Sequence, residues 1–130
     1  MQDSIFTKII NGEIPAHKIY EDDKTMAFLD IHPSVTGHTL VIPKKQVDHL
    51  WDLQDEDYQA VMATAKLVAN RLRKVLLTQR VGVKVVGEDV PHVHIHLIPF
   101  NTTREFHAKQ DLGAEPDHEA LAILAQKLAF

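Results

Sequence analysis

Residues 92–99 read His-Val-His-Ile-His-Leu-Ile-Pro, an alternation of imidazole and aliphatic side chains that strongly limits how the chain can fold. Successive side chains of a β-strand point to opposite faces. His92, His94 and His96 therefore share one face, and Val93, Ile95 and Leu97 the other. The aliphatic face belongs against a core helix, and the imidazole face on a surface or in a cleft. Neighbouring side chains on one face stand about 6–7 Å apart, close enough for two rings to address a single phosphate group. Histidine's near-neutral pKa suits it to act there as nucleophile, base or acid. On the triplet alone two other readings stay open: a three-histidine metal site, and a solvated histidine-rich strand with no task.

The rest of the chain supplies a sheet for this strand and a helix to cover it. Ser4 to Ile10 reads as a short helix capped by Ser4 and ended by Asn11-Gly12. Lys18–Glu21 and Thr25–Asp30, joined at Asp22-Asp23, read as an antiparallel hairpin. His38–Ile42 is a third strand, stopped by Pro43, which has no amide hydrogen for a ladder. Asp55 to about Leu77 is the one long helix. Its apolar positions Val61, Ala65, Val68, Leu72 and Val75 or Leu76 recur every three to four residues. Gly82–Val86 is a fourth strand ended by Gly87, and His92–Phe100 a fifth. Asp117–Leu128 has a helical pattern with Asp117 as its cap. Strands and one dominant helix without βαβ alternation imply an α+β fold, an antiparallel sheet backed by a helix.

Composition narrows the partners. Fourteen basic and 18 acidic side chains leave a formal charge of −4. That balance argues against a dedicated nucleic-acid surface, but small anionic ligands are held by local donors rather than by net charge. No cysteine occurs, so disulfides and thiolate-bound metals are excluded. The 130 residues, 45% apolar and 25% charged, suit one domain over 1–130, with its core in about 4–100 and a less regular segment 101–130. No stretch reaches membrane-spanning length and no targeting signal opens the chain. A cytoplasmic protein with no membrane partner is the default expectation.

Four blocks, in order, resemble the histidine-triad (HIT) nucleotide-binding proteins: Ile9–Pro15, Ala27–Pro33, Gly37–Lys44 and His92–Pro99. Within that family they are most similar to the nucleoside phosphoramidate hydrolases. The resemblance covers residue 5 to about 100. It implies a five-stranded antiparallel sheet with one long helix and short terminal helices, a homodimer, and a purine nucleotide as substrate. It also implies a hydrolase or nucleotidyl transferase that works through a nucleotidyl-histidine intermediate. By that likeness His94 is the nucleophile, His96 contacts phosphate and helps deliver a proton, and His92 and His38 support the geometry. Asp30 accepts from the ribose hydroxyls, and Phe28 and Ile31 line the base pocket. Read from the residues alone, Phe28 and Ile31 serve equally as core, Asp30 as a turn cap, and His38 as a structural histidine bonded to backbone.

The chain departs from its likeness in two places. Many relatives hold zinc with two cysteines and two histidines. Here Ser4 and Thr7 stand at the cysteine positions and Gln46 at the first histidine, leaving His92. Hydroxyls and an amide do not replace thiolates, so neither metal nor cofactor is expected, and packing of Phe6, Ile9 and Ile10 should fill the space. Relatives also carry a glycine-rich turn of small polar donors before the first triad histidine. This loop is shorter and reads Gly87-Glu88-Asp89-Val90-Pro91, whose carboxylates do not donate when ionised. Outward-facing acids with Gly87 backbone donating to phosphate keep the enzyme reading. An altered loop facing inward favours a nucleotide-binding regulatory protein with little turnover.

Overall fold

The computed structural model describes residues 2–130 and shows the expected α+β architecture. Helix α1 (Ile5–Ile10) is followed by strands β1 (Lys18–Glu21), β2 (Thr25–Leu29) and β3 (Thr39–Pro43). After a short 3₁₀ turn come α2 (Asp55–Leu76), β4 (Arg80–Lys84), β5 (Ile95–Phe100), α3 (Thr103–Phe106) and α4 (His118–Leu128). The five strands form one antiparallel sheet in the order β1-β2-β3-β5-β4.

Helix α2 buries Val61, Ala65, Val68 and Leu72 against one face of the sheet, at the spacing its sequence shows. Val41, Ile95 and Leu97 meet them from the strands. Each of these buried Val, Leu and Ile side chains contributes roughly 1.5–3 kcal/mol. The C-terminal helix joins the same core: Asp117 accepts from the Ala120 amide as N-cap, and Leu121, Ala125 and Leu128 pack inward. On the opposite face Phe6 of α1 packs on Phe28, Leu40 and Ile42.

Several strand ends differ from expectation: β2 stops at Leu29, and β3 starts at Thr39 and takes in Pro43, opposite Thr25, rather than stopping before it. β4 runs over Arg80–Lys84 rather than Gly82–Val86, because its partner strand limits it: the ladder runs from Arg80↔Phe100 to Lys84↔His96. β5 begins at Ile95, so His92 and His94 precede the ladder. Here the backbone is bound elsewhere, with the Val93 amide donating to the Val47 carbonyl (2.7 Å). The alternation of faces nevertheless holds, since Val93, Ile95 and Leu97 all lie in the α2 core. Before β3, Gly37 has φ +91, and a Cβ there would stand 2.4 Å from Leu76 Cδ1. Only glycine fits both constraints, and it delivers His38 to the sheet.

Candidate active site

All four candidate histidines are buried: His92 at 0%, His38 and His94 at 1% and His96 at 7% exposure. The imidazole face is thus enclosed rather than on the surface, because α1 lies over it. The Phe6 ring sits 5.0 Å from that of His94 and 5.8 Å from that of His92, edge to face. Burial holds His38 and His96 near a pKa of about 4, assisted at His38 by the Lys84 charge. At His96 the neighbouring His38, His94 and Lys84 lower it further, and Asp30 opposes them. Both rings are therefore neutral at pH 7, so each has one N–H and one bare nitrogen.

Neutral rings let the hydrogen bonds assign the protons. The Ser34 amide donates to His38 Nδ1 (3.1 Å), so the His38 proton lies on Nε2. That nitrogen donates to His96 Nδ1 (2.9 Å), which leaves the His96 proton on Nε2. His94 is oriented differently. Its Nδ1 faces the His92 carbonyl (2.7 Å) and must donate to it, so Nε2 is bare in the neutral ring. This Nε2 is buried and has no hydrogen-bond partner among the described residues, although the Asp89 carboxylate stands 3.3 Å away. With His94 in its neutral form, adjacent rings 5.1 Å apart carry a bare nitrogen and an N–H.

His92 is committed to the scaffold. Its Nε2 donates to the Pro43 carbonyl (2.7 Å), so Nδ1 accepts, and the Ser4 hydroxyl donates to it at 2.8 Å. Burial lowers the His92 pKa, with the Pro43 bond opposing. The Ser4 Oγ also accepts from the Thr7 amide (3.0 Å), and Gln46 Oε1 accepts from the Ser4 amide and the Thr7 hydroxyl, both at 2.8 Å. The positions where relatives are expected to hold zinc therefore form a closed hydrogen-bond network. Two hydroxyls and an amide do not fit zinc. The expectation that Phe6, Ile9 and Ile10 fill this space is corrected: polar bonds fill it, and those side chains pack beside it on the sheet.

A cavity of about 280 Å³ opens onto His94 and His96 and is lined by Phe28, Asp30 and Ile31. The structure thus brings five expected residues together. Phe28 is also core, buried at 4%, whereas Ile31 is exposed at the rim. His38 stands behind His96, its Nε2 3.7 Å from Asp30 Oδ2. Asp30 also caps its turn, with Oδ1 accepting from the His32 amide (2.9 Å). Gly87 is not part of this cavity; it lines a different one with His94, Trp51 and Val86. The turn at Gly87 (φ +81) instead leads to Asp89, whose Oδ1 lies 3.3 Å from His94 Nε2.

The triplet does not form a three-histidine metal site, since both His92 nitrogens are bonded within the protein. The donors that converge are those of Asp30, His38 and His96, within 4.8 Å of one another, and two of them already share a hydrogen bond.

The HIT domain family matches residues 11–103. The chain belongs to the HIT family. Adenosine 5′-monophosphoramidase of Saccharomyces cerevisiae is 43% identical over 97 residues, covering 73% of this chain and 61% of its own. A HIT-like protein from Bartonella henselae has a TM-score of 0.82 at 34% identity, covering 97% of this chain and 94% of its own. A zinc-bound histidine triad family protein from Mycobacterium smegmatis has a TM-score of 0.76 at 30% identity, covering 95% and 91%. Members of the HIT family are commonly nucleotide hydrolases or transferases.

Sequence reasoning missed two features of this HIT site, Ser34 and Gln110, and left the direction of a third, Asp89, open. Ser34, which orients His38, lies four residues before it and was within reach of a local turn argument. Asp89 stands in a loop whose acidic character is plain in the sequence, but its direction depends on how that loop folds back. Gln110 donates from Nε2 to Asp30 Oδ2 (2.9 Å) across 80 positions, and nothing in the local sequence signals that contact.

Proposed function

We propose that the protein hydrolyses, or transfers the nucleotidyl group of, purine nucleoside phosphoramidates or related nucleotides, through a nucleotidyl-His94 intermediate. The observation that carries this reading is the buried, unpartnered His94 Nε2, facing the same cavity as His96 and Asp30. The Nε2 lone pair forms a bond to the α-phosphorus while the P–N bond to the amine breaks. The negative charge of the bound phosphate favours a second proton on His96. The departing amine keeps the electron pair and takes the proton from Nε2 of that imidazolium, which leaves His96 neutral; an unprotonated amide ion is a very poor leaving group. Water then gives a proton to His96 as it attacks phosphorus, and His94 leaves with its electron pair. Asp30 accepts hydrogen bonds from the ribose diol, and Phe28 and Ile31 flank the base.

The test is turnover of a fluorogenic adenosine phosphoramidate, with mass spectrometry of protein quenched during the reaction. A nucleoside monophosphate adduct is expected on the peptide containing His92–Pro99. Turnover without an adduct, and at the same rate in His94→Ala, would overturn the reading.

One observation favours a second reading, a regulatory nucleotide binder with little turnover. The Asp89 carboxylate stands where an incoming phosphate would approach His94 Nε2, and like charges repel. Tight AMP binding without turnover of any phosphoramidate would select it. Either activity is proposed for a homodimer. β4 is an open sheet edge, and α2, with Met62 and Leu67 exposed, lies in or beside the interface. Light scattering is expected to give twice the monomer mass at micromolar concentration.

A further inference from the structure

Between α3 and α4 the chain runs without regular structure through residues 107–117, and its middle returns to the HIT cavity. Gln110 is the contact. Its Nε2 stands 2.9 Å from Asp30 Oδ2 and 2.8 Å from the His32 carbonyl. An amide nitrogen has two hydrogens, so these two bonds use both. They also fix which end of the side chain is which, because neither acceptor can bond to the amide oxygen. No described residue donates to the carbonyl Oε1, and Gln110 lines the same cavity as Asp30. Leu112, two residues on, lines that cavity too and is 70% exposed. An aliphatic side chain so exposed at the mouth of a pocket gains cover when a flat ring enters.

The Asp30 carboxylate is half committed before any ligand arrives. Oδ1 accepts from the His32 amide and Oδ2 from Gln110. Each carboxylate oxygen keeps one further acceptor position, and Gln110 Oε1 adds acceptor capacity next to them. A sugar with both 2′- and 3′-hydroxyls can satisfy this array. A 2′-deoxy sugar leaves a buried acceptor without its donor, and such losses are costly.

We propose that Gln110 is a specificity-determining residue that, with Asp30, selects ribonucleosides over 2′-deoxyribonucleosides. The segment 107–113 is then the strap that completes the sugar site. This inference rests on the reading of the cavity as a nucleotide site.

The experiment is calorimetric binding of AMP and 2′-deoxy-AMP to the full chain, in wild type, Gln110→Ala, Gln110→Asn and Asp30→Ala, and it does not require turnover. Wild type is expected to prefer AMP by roughly tenfold or more, as a hydrogen bond to a charged array implies. Gln110→Ala should weaken AMP about fivefold to tenfold while leaving 2′-deoxy-AMP nearly unchanged, so that the preference collapses. Gln110→Asn, too short to span both acceptors, should behave like alanine. With phosphoramidate substrate, Gln110→Ala should raise KM and leave kcat within about twofold. A preference that survives in Gln110→Ala but collapses in Asp30→Ala overturns the role of Gln110 alone. A wild type that binds neither nucleotide overturns the nucleotide reading and this inference with it. A Gln110→Ala variant that loses kcat at unchanged KM also overturns it, since that marks a role in the transition state.

Discussion

His92 and His94 are two residues apart and equally enclosed, yet they are built for opposite ends. Around His92 every polar atom is matched: Ser4 and the Pro43 carbonyl hold the ring, and Thr7 and Gln46 hold Ser4. Around His94 one nitrogen is tied to the His92 carbonyl, and the other faces the cavity with no hydrogen-bond partner among the described residues. A buried polar atom without a partner costs on the order of 1–3 kcal/mol. The satisfied cluster therefore supports the fold, and the unsatisfied atom marks where a ligand is expected.

The sharpest way to break this contrast is to truncate each ring. His94→Ala should lower kcat by about a thousandfold or more, and its cost in stability should be that of a buried ring with one bond, to the His92 carbonyl, because the free nitrogen contributes none. A variant with wild-type kcat contradicts the division.

Acid should reveal the other buried pair. His38 and His96 hold a pKa of about 4 in the folded protein, against an ordinary histidine value of 6.5. As pH falls from 6.5 to about 4 the unfolded chain takes up protons that the folded rings refuse. Stability is thus full above pH 6.5, declines through that window and levels off below it. The loss is on the order of 3 kcal/mol for the first ring to be charged. Urea unfolding midpoints at pH 7, 5.5 and 4.5 would measure it, and a His96→Asn variant should show a shallower slope. Midpoints that do not move across this range would refute the assignment.

Ser4→Ala tests the satisfied cluster. It removes the donor to His92 Nδ1 and the acceptor for the Thr7 amide, and so costs about 1–2 kcal/mol in denaturant unfolding. AMP binding should stay as in wild type. A large loss of binding with unchanged stability would show that the cluster belongs to the site instead.

The smallest effect concerns Asp89, an exposed side chain beside the open nitrogen. Asp89→Asn removes a negative charge from the path of the phosphate and should lower KM about twofold to fivefold at low salt, less at high salt. A raised KM would mean that the carboxylate assists the substrate.

How much of this was legible beforehand follows from the range of the forces involved. The period-two pattern of residues 92–97 and the helical period of Val61, Ala65, Val68 and Leu72 depend on neighbours in sequence, and both placed their apolar faces correctly. The likeness of four short blocks to a family pointed to Asp30, His94 and His96, which the cavity unites. The ends of β4 and β5 were misplaced because each strand stops where its partner's backbone is bound elsewhere.

The sequence by itself determined which residue types the site contains, the order of strands and helices that carries them, and the absence of thiolate ligands. Tertiary structure alone decided how those residues are used. It closed α1 over the histidines, fixed their tautomers through Ser34, Pro43 and the His92 carbonyl, and turned Ser4, Thr7 and Gln46 into a hydrogen-bond network. It also carried Gln110 across to Asp30. Each of these depends on a donor and an acceptor meeting within about 3 Å, and a hydrogen bond leaves no periodicity in the chain from which to read its distant partner.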